Sequence, residues 1–300
     1  MPEQLAASVV VCTFNRKEWL ERCLDALLPQ ASGIAEVIVV DGPSTDGTRL
    51  LLESLEVERR IMLVRQLSLE GISAARNLGL EKAKGEVVCF IDDDAIVEPG
   101  WLRSVLEGYG SESIGGVGGP VLDLQGRTTM GRNVVSMMGD WQEVPEGQED
   151  GGFPVMVGCN MSFRTGDLRR AGGFDPEFRY HQDETDACLR VRSLGKRIGY
   201  APGAKVRHAW CEGSYRRDKI LWYLRLRYLW GRNDALLVSK NFAGSVSFAR
   251  YLGHKAMRSL LMRRGVSTAP LVSTASTVPM PISILGATLE LSGAARGWRR

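Results

Sequence analysis

Two clusters of carboxylates stand out in this sequence. The first is Asp92-Asp93-Asp94, at the end of the apolar run Val87 to Ile91. Three acids gathered where a buried strand emerges repel one another and lose hydration, which costs stability unless something cationic sits among them. One of them could cap the helix that begins near Pro99, although capping needs a single aspartate. Asp-x-Asp at a strand end also suits a divalent cation that holds a diphosphate, because hard oxygen ligands match Mg²⁺ or Mn²⁺. The second cluster is Asp183-Glu184-x-Asp186, within "HQDETDACLR". Acids are favourable in the first turn of any helix, and a positioned carboxylate can equally serve as a general base. His208 ends the strand-like "AKVRH". It is either a packed histidine or a further metal ligand.

The elements that would carry these residues alternate in type. "SVVVCTF" (8–14), "EVIVV" (36–40), "IMLVR" (61–65) and "EVVCFI" (86–91) are short β-branched runs of the kind buried on both faces of a sheet. Between them, Arg16 to Leu28 puts Leu20, Cys23, Leu24, Leu27 and Leu28 on one helical face, with Pro29 as its stop. Further helices are expected over 47–56 and over 72–84, the latter capped by Ser73 and closed by Gly85. Four βα units predict a Rossmann-like α/β fold, a mostly parallel sheet flanked by helices. Ligands of such sheets bind at the carboxyl ends of the strands, where Asp41 and Asp92–Asp94 stand. The glycine-rich stretch 111–153 reads as a loop region that shapes a cleft. "VMVGCNMSF" (155–163) resumes a strand, 183–194 is an amphipathic helix ending at Gly195, and "RIGYAP" and "AKVRHAW" are final strands. The expected division is 1–110, 111–213 and 214–300.

The 300 residues are 44% hydrophobic and 24% charged, as in ordinary soluble proteins. The net charge of +3 conceals an asymmetry: residues 1–214 carry 23 Lys+Arg against 32 Asp+Glu (−9), and residues 215–300 carry 15 against 3 (+12). Six scattered cysteines without a CxxC, and no basic leader before the first strand, fit free thiols in a reducing cytosol. "SYRRDKILWYLRLRYLWGRND" (214–234) interleaves arginine with Trp222, Tyr223, Tyr228 and Trp230. No nucleic-acid module accompanies it, so a helix lying on an anionic membrane surface is the expectation. The uncharged stretch 265–289 is long enough to span a bilayer, but Pro270, Pro279 and Pro281 favour shallow association.

"VVVCTFNR", "VVDGPSTDGT", "GISAARNLG", "FIDDDA", "GGFDPEF" and "DETDACLRVRSLG" occur in the order seen in family 2 glycosyltransferases of the GT-A fold. The resemblance covers roughly residues 7–210. It implies a nucleotide pocket lined by Thr13, Asn15 and Arg16, a base-binding carboxylate at Asp41, and Arg76 along the nucleotide-sugar. Without that motif order Arg76 would read as a surface helix residue. Asp92 and Asp94 match the motif that contacts ribose and metal, with Asp93 between them and His208 as a third ligand. The family's catalytic helix usually reads Glu-Asp-x-Asp with the second acid as base. Here the pair is inverted, so Glu184 inherits that role by position and Asp183 is its rival. Arg232, in "YLWGRN", resembles an arginine that reaches the diphosphate, or else meets lipid.

What the resemblance implies is an inverting, metal-dependent enzyme moving a sugar from a nucleotide-sugar donor to a lipid-linked or cell-envelope glycan acceptor. It would sit on the cytoplasmic face of a membrane. The competing expectation is a non-catalytic sugar-nucleotide-binding scaffold. A haloacid dehalogenase-type phosphatase fits poorly, since Ala95 and Ile96 follow the aspartates. The absence of "GGxGTR" disfavours a nucleotidyltransferase, and the absence of Q-x-x-R-W a processive synthase.

Overall fold

The computed structural model describes residues 5–31, 35–145, 152–209 and 219–263, with 296 and 298. The chain forms two compact units. The first contains 1–133, 143–147 and 154–212, and the second 134–142, 148–153 and 213–300.

In the first unit the chain runs β1 (Ala7–Thr13), α1 (Lys17–Ala31), β2 (Ala35–Asp41), α2 (Thr48–Val57), β3 (Met62–Arg65), α3 (Ile72–Lys82) and β4 (Val87–Asp92). It continues through β5 (Ala95–Val97), α4 (Trp101–Glu107), β6 (Ile114–Gly118), β7 (Val121–Leu122) and β8 (Thr128–Met130). After the strands β9 (Asn133–Val135) and β10 (Trp141–Glu143), most of whose residues fall in the second unit, and β11 (Phe153–Val155), come β12 (Asn160–Arg164), α5 (Thr165–Arg170), α6 (Asp183–Ser193), β13 (Arg197–Tyr200) and β14 (Val206–His208).

The main sheet has seven strands in the order β13-β6-β12-β4-β1-β2-β3. Its β3-β2-β1-β4 part is parallel, as the alternation of elements predicts, while β12 runs antiparallel to both β4 and β6. The β-branched runs fill the core: Val9, Val10, Val11, Ile38, Val39, Val87 and Val88 are almost wholly inaccessible. Each such side chain contributes about 1.5–3 kcal/mol of transfer free energy.

Several local expectations are corrected. Pro29 lies inside α1 rather than ending it, for the helix runs on through Gln30 and Ala31 before it stops. Ser73 is not a cap. Gly71 holds the cap position and the Ser73 hydroxyl donates to the carbonyl of Phe178. Gly85 does not close α3, whose C-cap is Ala83. The glycine-rich stretch after 111 is not all loop, for β6 to β10 lie within it. Glycine is required there by proximity: a Cβ on Gly119 would lie 2.1 Å from the carbonyl oxygen of Ala204. The expected single strand 155–163 is broken into β11 and β12 by a turn at Val157–Asn160.

The second unit holds α7 (Lys219–Phe242) and α8 (Phe248–Arg263). Its core is Ala235, Val238, Val246 and Tyr251, with Met138, Phe242, Phe248, Leu252 and Trp298 packed against them. Lys255 is buried, its Nζ 2.8 Å from Asp234 Oδ2 and 3.1 Å from Asp140 Oδ1. His254 also pairs with Asp140. No described helix is long and apolar enough to cross a membrane. The side chains of Trp222 and Tyr223, and the stretch 265–289, lie outside what is described.

Candidate active site

Strand register assembles the site. In β1 to β4 the partners Thr13↔Asp41 and Cys12↔Asp92 put both predicted acids at the carboxyl edge of the sheet. A second sheet supplies the histidine: β14 pairs antiparallel with β5, His208 opposite Ala95, and the amide of Ala209 donates to the carbonyl of Asp94. His208 Nε2 thus lies 3.0 Å from Asp94 Oδ1 and 3.7 Å from Asp92 Oδ2.

The three consecutive aspartates have different surroundings. Asp93 accepts from Thr13 Oγ1 at 2.7 Å and from Arg16 Nη1 at 3.1 Å. Arg16 also pairs with Asp94 Oδ2 at 2.7 Å. Burial pushes the Asp93 carboxyl up to about 7 against the pull of Arg16. Asp94 is opposed by burial too, but the hydrogen bond and charge of His208, followed by Arg16, hold it down at about 2. Reciprocally, burial would lower His208, and Asp92 and Asp94 outweigh it and hold the ring at about 9. Three protein cations, Arg16, Arg76 and His208, therefore already stand among the acids, so the cluster does not depend on a bound ion alone for its counter-charge.

Arg76 is not a surface residue. It is 4% exposed, donates from Nη2 to Asp92 Oδ1 and to the Gly158 carbonyl, each at 3.1 Å, and pairs through Nη1 with Asp183. The rest of α3 grips the chain that leads into α6. Asn77 exchanges two hydrogen bonds with the backbone of Phe174, and the Ile72 amide donates to the Arg179 carbonyl at 3.1 Å. Gly71, at φ +103, admits that segment, since a Cβ there would lie 2.9 Å from Arg179 Cα. The motif "GISAARN" is thus a clasp. It delivers α6, whose entry residues His181 and Gln182 both hold positive φ, 71° and 69°.

The acids of α6 do not form an exposed first turn, for Asp183, Glu184 and Asp186 are all buried. Asp186 is spent on Arg190 at 2.7 Å, an i,i+4 pair. Burial, then the charge of Asp183 and a hydrogen bond with it, raises the Glu184 carboxyl well above its ordinary value. Arg76→Ala should therefore leave the buried Asp183, and the partly exposed Asp92 opposite it, without their shared cation. Breaking a buried pair costs about 3–5 kcal/mol. We expect a clear fall in the thermal unfolding midpoint, and Arg76→Lys, which cannot span both acids with a planar fork, should recover only part of it.

At the other end of the edge, Asp41 is 1% exposed. Its Oδ1 accepts from Ser44 Oγ at 2.6 Å, while Oδ2 lies 3.7 Å from Arg49 Nε and makes no hydrogen bond. Asn15, at φ 53°, donates its backbone N–H to Ser44 Oγ and accepts the Thr45 backbone N–H at its Oδ1, tying the ends of β1 and β2 together. Arg232 lies on α7 in the second unit, half-buried, and donates to Asn233 Oδ1 at 2.7 Å. Sequence reasoning overlooked Ser44, Arg49 and Cys159. The Cys159 sulfur lies with Asp92 and His208 in a group whose ligand atoms are all within 4.8 Å of one another. The only signal for it was a cysteine just before a strand start.

Residues 8–172 match the family described as glycosyl transferase family 2, which is more than half of the chain. The chain belongs to that family. Its mixed sheet is of GT-A type. Among curated relatives, the glucosyl-dolichyl phosphate glucuronosyltransferase of Haloferax volcanii is 28% identical over 68% of this chain and 69% of its own length. The putative glycosyltransferase EpsH of Bacillus subtilis is 31% identical over 37% of this chain, a match that spans only 32% of EpsH. Among solved structures, the mannosyltransferase PcManGT of Pyrobaculum calidifontis, in complex with GDP-Man and Mn²⁺, superposes with a TM-score of 0.61 at 19% identity, covering 99% of this chain and 88% of that one.

Proposed function

We propose that this family member moves one sugar, with inversion, from a UDP- or dTDP-sugar to a hydroxyl of a lipid-linked or cell-envelope glycan acceptor, with a divalent cation, Mg²⁺ or Mn²⁺, in the site. The observation that carries the reading is the arrangement about Arg76. Asp92, with Asp94 and His208 beside it, lies on one side of the guanidinium, and Asp183, next to Glu184, on the other.

The donor set fits a divalent cation. Asp92 and Asp94 offer carboxylate oxygens around an imidazole nitrogen at 3.0–3.7 Å, a spacing that needs a positive charge among them, whether a proton or a metal. A cation held by these residues supplies charge that offsets what develops on a diphosphate leaving group. The chain's own residues supply the remainder. Asp41 Oδ2, a buried acceptor without a hydrogen bond, suits the imide N–H of uracil or thymine. Thr13, Asn15, Arg16 and Asp93 form the bonded floor beside it. Asp183 is committed to Arg76, which leaves Glu184 to take the proton from the acceptor hydroxyl. A single base opposite the leaving group gives direct displacement with inversion. The Mn²⁺ of the mannosyltransferase neighbour agrees with a divalent cation here, although that protein's donor is a GDP-sugar, and the lipid-linked substrate in the name of the Haloferax relative agrees with the acceptor class.

A thermal-shift panel of nucleotides with and without Mn²⁺ tests it. A ligand at 100 times its Kd stabilises the native state by about 2.7 kcal/mol. UDP or dTDP with Mn²⁺ should raise the midpoint most, and GDP less. No shift with any nucleotide, with or without metal, would overturn the donor assignment.

The same reading places the enzyme peripherally on the cytoplasmic face of a membrane, held by residues 215–300 with their net charge of +12. Part of that segment is folded around its own core and Lys255 is neutralised by Asp140 and Asp234, so the contact is assigned to cations such as the exposed Arg225. Each basic residue near an anionic surface adds about 1 kcal/mol. The protein should co-sediment with phosphatidylglycerol vesicles, release with added salt, and ignore neutral vesicles. Persistence in the supernatant at low salt would rule the attachment out.

A further inference from the structure

We propose that Cys159 is a metal ligand, and that Asp92, His208 and Cys159 together give this site an affinity for thiophilic divalent cations of the zinc class. The inference rests on the reading of Asp92, Asp94 and His208 as the cation site and adds a residue that reading does not use. Carboxylate oxygen, imidazole nitrogen and thiol sulfur converge here, all within 4.8 Å of one another.

The convergence is built into the fold. Asn160 pairs with Ile91 in the antiparallel β12–β4 ladder, which brings the preceding Cys159 beside the following Asp92. Asn160 is fixed by three side-chain bonds: Oδ1 accepts from Trp101 Nε1 at 2.9 Å, and Nδ2 donates to the carbonyls of Ala204 at 2.8 Å and Pro120 at 3.2 Å. Cys159 itself is 3% exposed. A tetrahedral ion with ordinary metal–sulfur, metal–nitrogen and metal–oxygen bonds keeps its ligand atoms about 3.3–3.6 Å apart. The Asp92–His208 separation is 3.7 Å, so side-chain adjustments of about an ångström close the set, and Asp94 Oδ1, 3.0 Å from the imidazole, is a fourth donor.

Mixed Cys/His/Asp ligation is the chemistry of Zn²⁺ and Co²⁺, whereas Mg²⁺ gains little from sulfur. On binding, the thiol S–H bond breaks, a sulfur–metal bond forms, and the proton leaves to solvent with no redox change. A zinc-class ion therefore competes with an oxygen-preferring one for the same carboxylates, and holds a bond that the latter does not make.

Cobalt(II) titration of the full chain is the test. The expected spectrum has visible d–d bands and a near-ultraviolet sulfur-to-cobalt charge-transfer band. Cys159→Ser should lose the charge-transfer band, keep its unfolding midpoint, and need more Zn²⁺ than the parent protein to displace Mn²⁺. Should that variant fail to fold, Cys159→Ala is judged by the same loss. Cobalt bound without a charge-transfer band, or with one that survives in the folded variant, overturns the role of Cys159 and leaves the cation site standing. Failure of both Co²⁺ and Mn²⁺ to bind in equilibrium dialysis overturns the cation site itself, and this proposal with it.

Discussion

Asp94→Asn is expected to remove metal-dependent nucleotide binding and to lower turnover by on the order of 10²–10³-fold, the scale of losing one group that stabilises developing charge. The substitution keeps the shape of the side chain but not its charge. Arg16 retains Asp93 as a partner at 3.1 Å, so the loop after β4 should stay folded. His208 loses its nearest acid at 3.0 Å, and its affinity for a proton should fall from the level of about 9 that Asp92 and Asp94 now sustain. Calorimetric titration of UDP with and without Mn²⁺ reads the first effect, and histidine NMR against pH reads the second. Near-normal turnover in this variant would remove Asp94 from the cation site.

Glu184→Gln should keep nucleotide binding and abolish transfer to the acceptor. An amide accepts no proton at neutral pH, and loss of a positioned base costs about 10²–10⁴-fold. Asp183→Asn should behave differently. It strips Arg76 of a buried partner, so its main effect belongs in the unfolding midpoint and in donor binding. If Asp183→Asn alone abolishes transfer while Glu184→Gln retains it, the roles are reversed. The pH profile gives an independent sign. The base must be ionised to act, so kcat/KM rises with pH through the Glu184 titration. Burial and Asp183 place that limb above the ordinary glutamate value of 4.5, and Arg76 opposes the displacement. Replacing Arg76 should therefore move the limb further towards high pH.

Much of this site was legible in the sequence because its residues lie at strand ends, and strand ends are marked by short β-branched runs. Asp41 and Asp92 followed from that pattern, and the parallel order of β1 to β4 from the alternation of elements. What escaped depends on partners far along the chain. Arg76 is singled out by the motif order alone, and nothing local shows that its partner is Asp183, 107 positions away. The Ser73 hydroxyl reads as a cap because a nearby orphan amide is the local expectation, yet its acceptor is the carbonyl of Phe178. The glycines at 116, 118 and 119 read as loop because their reason is steric contact with β12, Met156 and Ala204 rather than backbone freedom. Cys159 carries no local signal of its neighbours, since only the β12–β4 ladder brings it to Asp92.

Trp298 stacks at 5.2 Å from Phe248 and 5.5 Å from Tyr251, so two residues of α8 are covered by a side chain near the carboxyl terminus. Shortened versions of this protein are therefore not interchangeable. A truncation between α7 and α8 strands the carboxylates of Asp140 and Asp234 without the ammonium of Lys255, and one just before Trp298 uncovers aromatic surface that favours self-association. An affinity handle for purification is better placed ahead of Ala7, where the first strand has yet to begin.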